Sequence, residues 1–306
     1  MTELPQDSAI PGLAAIRAMG TAAMVSLGVF EDPVELRLRA HKHEVRATVE
    51  ARAGTRHFAI KLYASDPTPV VELHQALAGA GLTGDSPVRV PPLLTWDRDL
   101  RLMVVGWLEG PTAFDLIKRG QGERAGELAA AWLVRAATLQ VTLGEPTGRD
   151  RALEQTRKWI AGLQDTDASL GSAAQAVADR LARSTAKDGA SRLIHDAFHD
   201  RNVIDLGDGP GVIDWERFGQ GPAEAEAGMF LAGIFARGLR ESRATSVRQA
   251  RQAFLDRAGP LLDEQALEWY QAAWLLRKAY LNRKRGDWQG QPRALLAQAR
   301  EHAERL

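Results

Sequence analysis

The residues with the clearest chemical potential share one island, RLIHDAFHDRNVIDLGDGPGVIDWERFG, residues 192–219. Its apolar runs VIDL and GVID are joined through Asp208-Gly209, a turn pair that favours a two-stranded antiparallel hairpin. Such pairing sets Asn202 and Asp214 at the same end. An amide oxygen beside a carboxylate is a hard-oxygen pair that suits Mg²⁺, which takes one or two protein groups and fills its shell with water and phosphate. The plain alternative is that both are turn residues hydrogen-bonded to nearby backbone. The island also holds His195-Asp196-x-x-His199, which imitates the H-E-x-x-H of zinc hydrolases with Asp for Glu. That motif needs a helix to bring positions i and i+4 to one face. A hairpin follows within a few residues and no third ligand stands out, so the zinc reading is the weaker one.

Two kinds of element must position these groups. Residues 8–28 read as an Ala-rich helix. Period-two alternation then takes over in Val34/Leu36/Leu38, Val45/Ala47/Val49 and Phe58/Ile60/Leu62, broken at HKHE and RAGTR, the pattern of half-buried antiparallel strands. DPTPVVELHQALAGAG predicts a helix with Thr68 as N-cap, Pro69 at N1, a stop at Gly79, and Val70, Leu73 and Leu77 on one stripe. Two further strands are expected around VPPLLTW and in RLMVVGW. From about Pro111 the periodicity is helical, in AGELAAAWLVRAATLQVTL, RALEQTRKWIAGL, SAAQAVADRLARS, Ala223 to Arg240 and three segments beyond Val247. The hairpin is the single strand signal inside this region. No internal repeat or low-complexity linker is visible.

The stretch LIHDAFHDRNVI…GVIDWE resembles the catalytic core of the aminoglycoside phosphotransferase/choline kinase family, relatives of the protein kinases. The family pattern is H-G-D-x-H-x-x-N followed by a hairpin ending I-D-W/F-E. It is matched by His195, His199, Asn202, Ile213, Asp214, Trp215 and Glu216, with Asp196 in place of the glycine. GPAEAEAG resembles the family's G-P-x-x-x-D-L-A, with Glu226 at the acidic position. The resemblance implies an α+β, bilobal, protein-kinase-like fold with a small antiparallel-sheet N-lobe and a larger helical C-lobe. It divides the chain into 1–105 with a nucleotide-binding sheet, 106–110 as connector, and 111–306 with the catalytic hairpin and substrate pocket.

A kinase-like fold needs a lysine on the third strand for nucleotide phosphates and a glutamate on the next helix to hold it. Lys61 in HFAIKLY meets the first requirement, on the opposite strand face from Phe58, Ile60 and Leu62 and thus expected to point out of the lobe's core toward the cleft. Glu72 lies off the apolar stripe of its helix and meets the second. The adenine is expected against the connector MVVGWLEGP, at Val105 and Trp107; simple packing is the other reading of Trp107. Asn202 and Asp214 become the Mg²⁺ ligands, and His195 and His199 brace the loop through hydrogen bonds. The phosphate-covering glycine loop has no counterpart, because AHKHEVR between the first two strands contains no glycine.

The family's catalytic aspartate falls on Ala197, which cannot accept a substrate proton. Three readings compete: an inactivated enzyme, a natural pseudokinase that binds nucleotide or ligand without turnover, or replacement of the base by Asp196 or Asp200. The expected activity is ATP- and Mg²⁺-dependent transfer to a hydroxyl of a small molecule; the alternative is a non-catalytic binding protein. The acceptor itself is not legible. RKAYLNRKR, Arg277 to Arg285, would suit an anionic substrate but reads better as a solvated helix end.

Composition narrows the field. The chain has 306 residues with 39 basic and 39 acidic side chains and a formal charge of zero, without the basic footprint that nucleic-acid binding requires. It has no cysteine, which removes disulfides, thiolate metal sites and thiol nucleophiles. MTELPQDSAIPGL lacks the pattern of a signal peptide and no run is apolar enough to span a membrane. A cytoplasmic monomer or homodimer is expected, with neither nucleic acid nor membrane as partner.

Overall fold

The computed structural model describes residues 4–20, 22, 28, 34–239, 243–284 and 291–306, and divides into two compact units, Met1–Glu109 and Gly110–Leu306. In the first unit, helix α1 (Pro11–Met19) precedes strands β1 (Glu35–Lys42), β2 (Arg46–Ala53) and β3 (Arg56–Tyr63), helix α2 (Thr68–Gly79), and strands β4 (Leu93–Asp97) and β5 (Leu102–Gly106). The helix expected over 8–28 starts at Pro11 and stops at Gly20, whose φ of 59° no helix allows; most of the remaining span lies outside the described residues. The five strands form one antiparallel sheet in the order β1-β2-β3-β5-β4.

Alternation along β3 gives the sheet two apolar faces. Phe58, Ile60 and Leu62 pack with Leu13, Ile16, Val49 and Val104 on one side. On the other, Tyr63, Met103 and Val105 pack with Val71 of α2, and Ala59 lies against them. α2 begins one residue earlier than its pattern suggests: Pro67 is the N-cap, Thr68 is already helical, and Asp66 Oδ1 accepts both Thr68 N–H at 2.9 Å and Thr68 Oγ1–H at 2.6 Å. The carboxylate supplies the cap because Thr68 spends its own hydroxyl on it.

The second unit is mainly helical: α3 (Ala113–Lys118), α4 (Gly122–Ala136), α5 (Arg149–Gln164), α6 (Ala168–Arg183), α7 (Ala223–Gly238), α8 (Ala244–Ala258), α9 (Glu264–Asn282) and α10 (Gln291–Glu304). Trp159, Leu163, Val177, Leu181, Trp269, Leu275, Leu276 and Leu295 form its main core. Among the helices lies the expected hairpin, β8 (Val203–Asp205) against β9 (Pro210–Val212), with Val203 opposite Val212. A three-stranded sheet escaped the pattern reading: β6 (Glu145–Pro146) pairs in parallel with β10 (Gly219–Gly221), which pairs antiparallel with β7 (Arg192–Ile194). Among the described residues no helix is long and apolar enough to cross a membrane.

Candidate active site

The short sheet and the hairpin hold one loop between them. β7 ends at Ile194 and hands the chain to His195; the loop reaches Asn202, the hairpin returns it to Asp214, and β10 receives it at Gly219. Residues 195–202 are not helical, so the H-x-x-x-H spacing does not place its two imidazoles on one helix face. His195 is fully buried, and its Nε2 makes a 2.8 Å hydrogen bond to the carbonyl of Ile213. That bond ties the start of the loop to the end of the hairpin, as the bracing role requires.

Beneath the loop stands Glu226, at the acidic position of GPAEAEAG. Its Oε1 accepts the backbone N–H of His195 at 2.7 Å and of Asp196 at 3.1 Å, and Oε2 accepts Trp132 Nε1–H at 3.2 Å. Burial pushes its pKa up to about 8, with the three donors opposing and the charge of Asp196 adding. Trp215, which follows Asp214, packs edge-on to Trp132 at 5.2 Å and against His195 at 4.4 Å. Two indoles, an imidazole and a carboxyl thus form a buried bracket under the loop.

The candidate metal ligands stand on the two strands' ends at the mouth of the hairpin. Ile213 N–H donates to the carbonyl of Asn202 at 3.0 Å, extending the ladder to the residue before Asp214. Asn202 is 5% exposed and its Nδ2 donates to the carbonyl of Ala197 at 3.0 Å, which leaves its Oδ1 on the other limb of the amide. Asp214 has φ 71°, a left-handed conformation that carboxylate and amide side chains tolerate better than most. The hairpin is held by Arg124, which donates to Asp205 at 2.7 and 3.0 Å. Gly110 passes so close that a Cβ there would lie 2.0 Å from the Asp205 carbonyl.

Ala197 is half-buried and carries no group able to take a proton. Asp196 has φ 52°, which explains why glycine suits this position, and its Oδ2 accepts from Arg217 at 2.5 and 3.1 Å. Asp200 is 1% exposed and bound to Arg237 at 2.9 Å. His199 Nδ1 accepts the N–H of Arg201 at 3.3 Å, so the neutral ring carries its proton on Nε2. Burial lowers the pKa of His199, Asp200 and Asp214 raise it, and Lys278 and Arg237 depress it. With Nδ1 engaged, the nitrogen left over is a donor.

Lys278 belongs to α9, as does Arg277, whose guanidinium lies 5.2 Å from the centre of the Trp274 ring. Burial lowers the pKa of Arg277, the charge of Arg217 adds to that, and Asp196 opposes it. Both α9 residues are half-buried. The reading of RKAYLNRKR as a solvated helix end therefore fails for Arg277 and Lys278, which are half-buried and whose charges reach Asp196, Arg217 and His199. Lys284 is exposed, and Arg285 lies outside the described residues.

In the first unit Lys61 sits on the α2 side of β3 and is 9% exposed. That face is a second apolar layer, so Lys61 is more enclosed than a residue projecting from the core would be. Glu72 lies on the exposed side of α2. His74 of α2 feels the charge of Lys61; its pKa falls to about 4, chiefly through burial, with Lys61 adding and a hydrogen bond to the Pro91 carbonyl opposing. Val105 is 1% exposed, between Ala59 of β3 and Leu93 of β4. The Trp107 ring stacks on His57 at 4.1 Å, and the Trp107 backbone N–H donates to the His57 carbonyl at 3.2 Å.

The depressed pKa of His74 sets an acid limit. Its stabilisation is complete above the unfolded value of 6.5 and is lost as pH falls toward 4. At about 1.4 kcal/mol per pKa unit the loss is about 3 kcal/mol. His74→Leu should remove that loss, giving a flatter dependence of urea midpoint on pH below 6.5; an unchanged slope would show that another group carries it.

A five-stranded antiparallel sheet with a buried lysine, joined to a helical unit that carries a braced loop and a two-stranded hairpin, defines a kinase-like α+β protein of two lobes. The chain belongs to the phosphotransferase enzyme family, which its sequence matches over residues 37–270. Solved structures agree on the fold. Aminoglycoside phosphotransferase APH(4)-Ia, as a thermostable mutant in ternary complex with AMP-PNP and hygromycin B, is 16% identical over 93% of this chain and 98% of its own, with a TM-score of 0.62. Choline kinase LicA from Streptococcus pneumoniae is 16% identical over 95% and 100%, with a TM-score of 0.60. Spectinomycin phosphotransferase APH(9)-Ia, in complex with ADP and spectinomycin, is 14% identical over 89% and 93%, with a TM-score of 0.59. No curated protein matches the sequence.

Proposed function

We propose that this protein binds MgATP and is built to transfer the γ-phosphoryl group to a hydroxyl of a small molecule, with catalytic power withdrawn at residue 197. The observation that carries the reading is the mouth of the hairpin, where the Asn202 carbonyl pairs with Ile213, the residue before the left-handed Asp214. An amide oxygen and a carboxylate there suit a hard cation that keeps several waters and phosphate oxygens. The residues fit Mg²⁺, which when bound would neutralise charge on the transferring phosphoryl group. Lys61 is assigned to the nucleotide phosphates, Glu72 to orienting it, and Val105 with Trp107 to the adenine. A cytoplasmic location and a monomer or homodimer go with this reading. Choline kinase and two antibiotic kinases among the structural neighbours support a small-molecule acceptor. The charge of Arg217, Arg277 and Lys278 around the loop favours an acceptor with an anionic group over a polycationic one.

The second reading, a binding protein without turnover, is favoured by Ala197 together with the engagement of Asp196 by Arg217. Isothermal titration tests nucleotide binding. Wild-type protein should bind MgATP, and Asp214→Ala or Lys61→Ala should weaken binding by at least about 10-fold, the loss of one charge-assisted contact of 1.5–3 kcal/mol. Absence of binding at millimolar MgATP would defeat the first reading and leave the second only as a binder of some other ligand.

A further inference from the structure

Away from the loop and hairpin, the segment ahead of α1 and the β1–β2 turn bring together Asp7, His41 and His43, whose ligand atoms all lie within 4.8 Å of one another. Asp7 is 3% exposed. Its Oδ2 stands 2.8 Å from His41 Nε2 and 3.2 Å from His43 Nδ1, and the backbone N–H of Glu44 donates to the same oxygen at 2.9 Å. One carboxylate oxygen thus gathers two imidazole nitrogens and a backbone N–H. Each imidazole has one ring nitrogen able to present a lone pair to a cation among these atoms.

We propose that Asp7, His41 and His43 form a site for a divalent transition-metal ion, Zn²⁺ in the first instance. Two imidazoles with one carboxylate select this class over Mg²⁺ or Ca²⁺, which prefer all-oxygen shells. Atoms held about 2.0–2.1 Å from a tetrahedral zinc stand about 3.3 Å apart, close to the 3.2 Å between Asp7 and His43, while the 2.8 Å between Asp7 and His41 must widen as the ion enters. The surroundings are those of a metal site. The N–H groups of Glu44 and Ala9 hold the Asp7 carboxylate, at 2.9 and 3.2 Å. Glu44 Oε1 lies 3.7 Å from His43 Nε2, a carboxylate behind a ligating histidine that would orient its ring. The exposed His43 side chain gives the ion a path in, and a water completes the tetrahedron.

The site is independent of any phosphotransfer activity, and so is its test. The whole chain, stripped with a chelator, is titrated with zinc sulfate by calorimetry and, in parallel, with Co²⁺ followed by visible absorption. The expected result is one equivalent of zinc and the intense d–d bands of tetrahedral cobalt. His43→Ala, at an exposed position that leaves the core alone, should weaken zinc binding at least about 10-fold and abolish the bands. Asp7→Asn should do the same if it folds. A wild-type protein that takes up no zinc at about 100 µM overturns the proposal. So does a His43→Ala protein that titrates like wild type, since the metal would then sit elsewhere.

Discussion

Ala197→Asp is expected to raise ATP consumption in the presence of the right hydroxyl acceptor by about 10²–10⁴-fold, the ordinary worth of a positioned general base. The scaffold for that base is already in place. The Ala197 carbonyl accepts from Asn202, the preceding N–H groups are held by Glu226, and residue 197 is half-buried rather than sealed in the core. Neither carboxylate beside it in sequence is a ready substitute, because Asp196 is bonded to Arg217 and Asp200 to Arg237. MgATP affinity should change little, since phosphoryl-transfer proteins hold nucleotide through positioning and charge supplied elsewhere. The measurement is coupled ADP release across a panel of hydroxyl compounds that includes anionic ones. A variant that binds MgATP, folds as wild type and stays silent with every acceptor would favour the binding-protein reading.

Glu226→Ala should destabilise the protein by about 3–5 kcal/mol. Three buried donors lose their acceptor at about 1–3 kcal/mol each, offset in part by no longer burying a carboxyl. Glu226→Gln keeps the shape and an acceptor and should lose far less. The glutamine variant also isolates a pH effect. A carboxyl with pKa about 8 in the folded chain and 4.5 unfolded favours the folded state most at low pH. That contribution disappears as pH rises from 4.5 through 8, a change on the order of 4 kcal/mol. His74 acts in the opposite sense but only below 6.5, so the slope between 6.5 and 8 belongs to Glu226. Urea unfolding across this window should show wild-type stability falling and Glu226→Gln nearly flat; equal slopes would remove Glu226 as the cause.

The elements that carry the proposed site residues were legible because their signals are local. Asp208-Gly209 announces the hairpin, and alternation through HFAIKLY places Lys61 opposite Phe58, Ile60 and Leu62. What stayed hidden depends on distant partners. The strands β6, β7 and β10 have two or three residues each, too few for a period, and pair segments far apart in the chain. The half-burial of Arg277 and Lys278 follows from how α9 packs, which a run of basic residues does not encode. The enclosure of Lys61 was missed for a similar reason: a strand shows which face a residue takes, whereas the covering of that face by α2 is tertiary. Asp66 was passed over as a cap because Thr68, nearer the apolar stripe, offered a suitable side chain. The Asp7 cluster had no sequence signature, since its carboxylate lies a helix and a strand away from its two histidines.

The paired indoles beneath the loop have a practical consequence. Trp132 and Trp215 are 0% and 1% exposed, so their fluorescence is that of rings shielded from water, and one of them adjoins Asp214 in the chain. The protein thus carries an intrinsic optical reporter at the mouth of the hairpin. The Glu226 carboxyl losing its proton beneath Trp132, or a cation at the proposed site, should register as a change in emission without any attached dye.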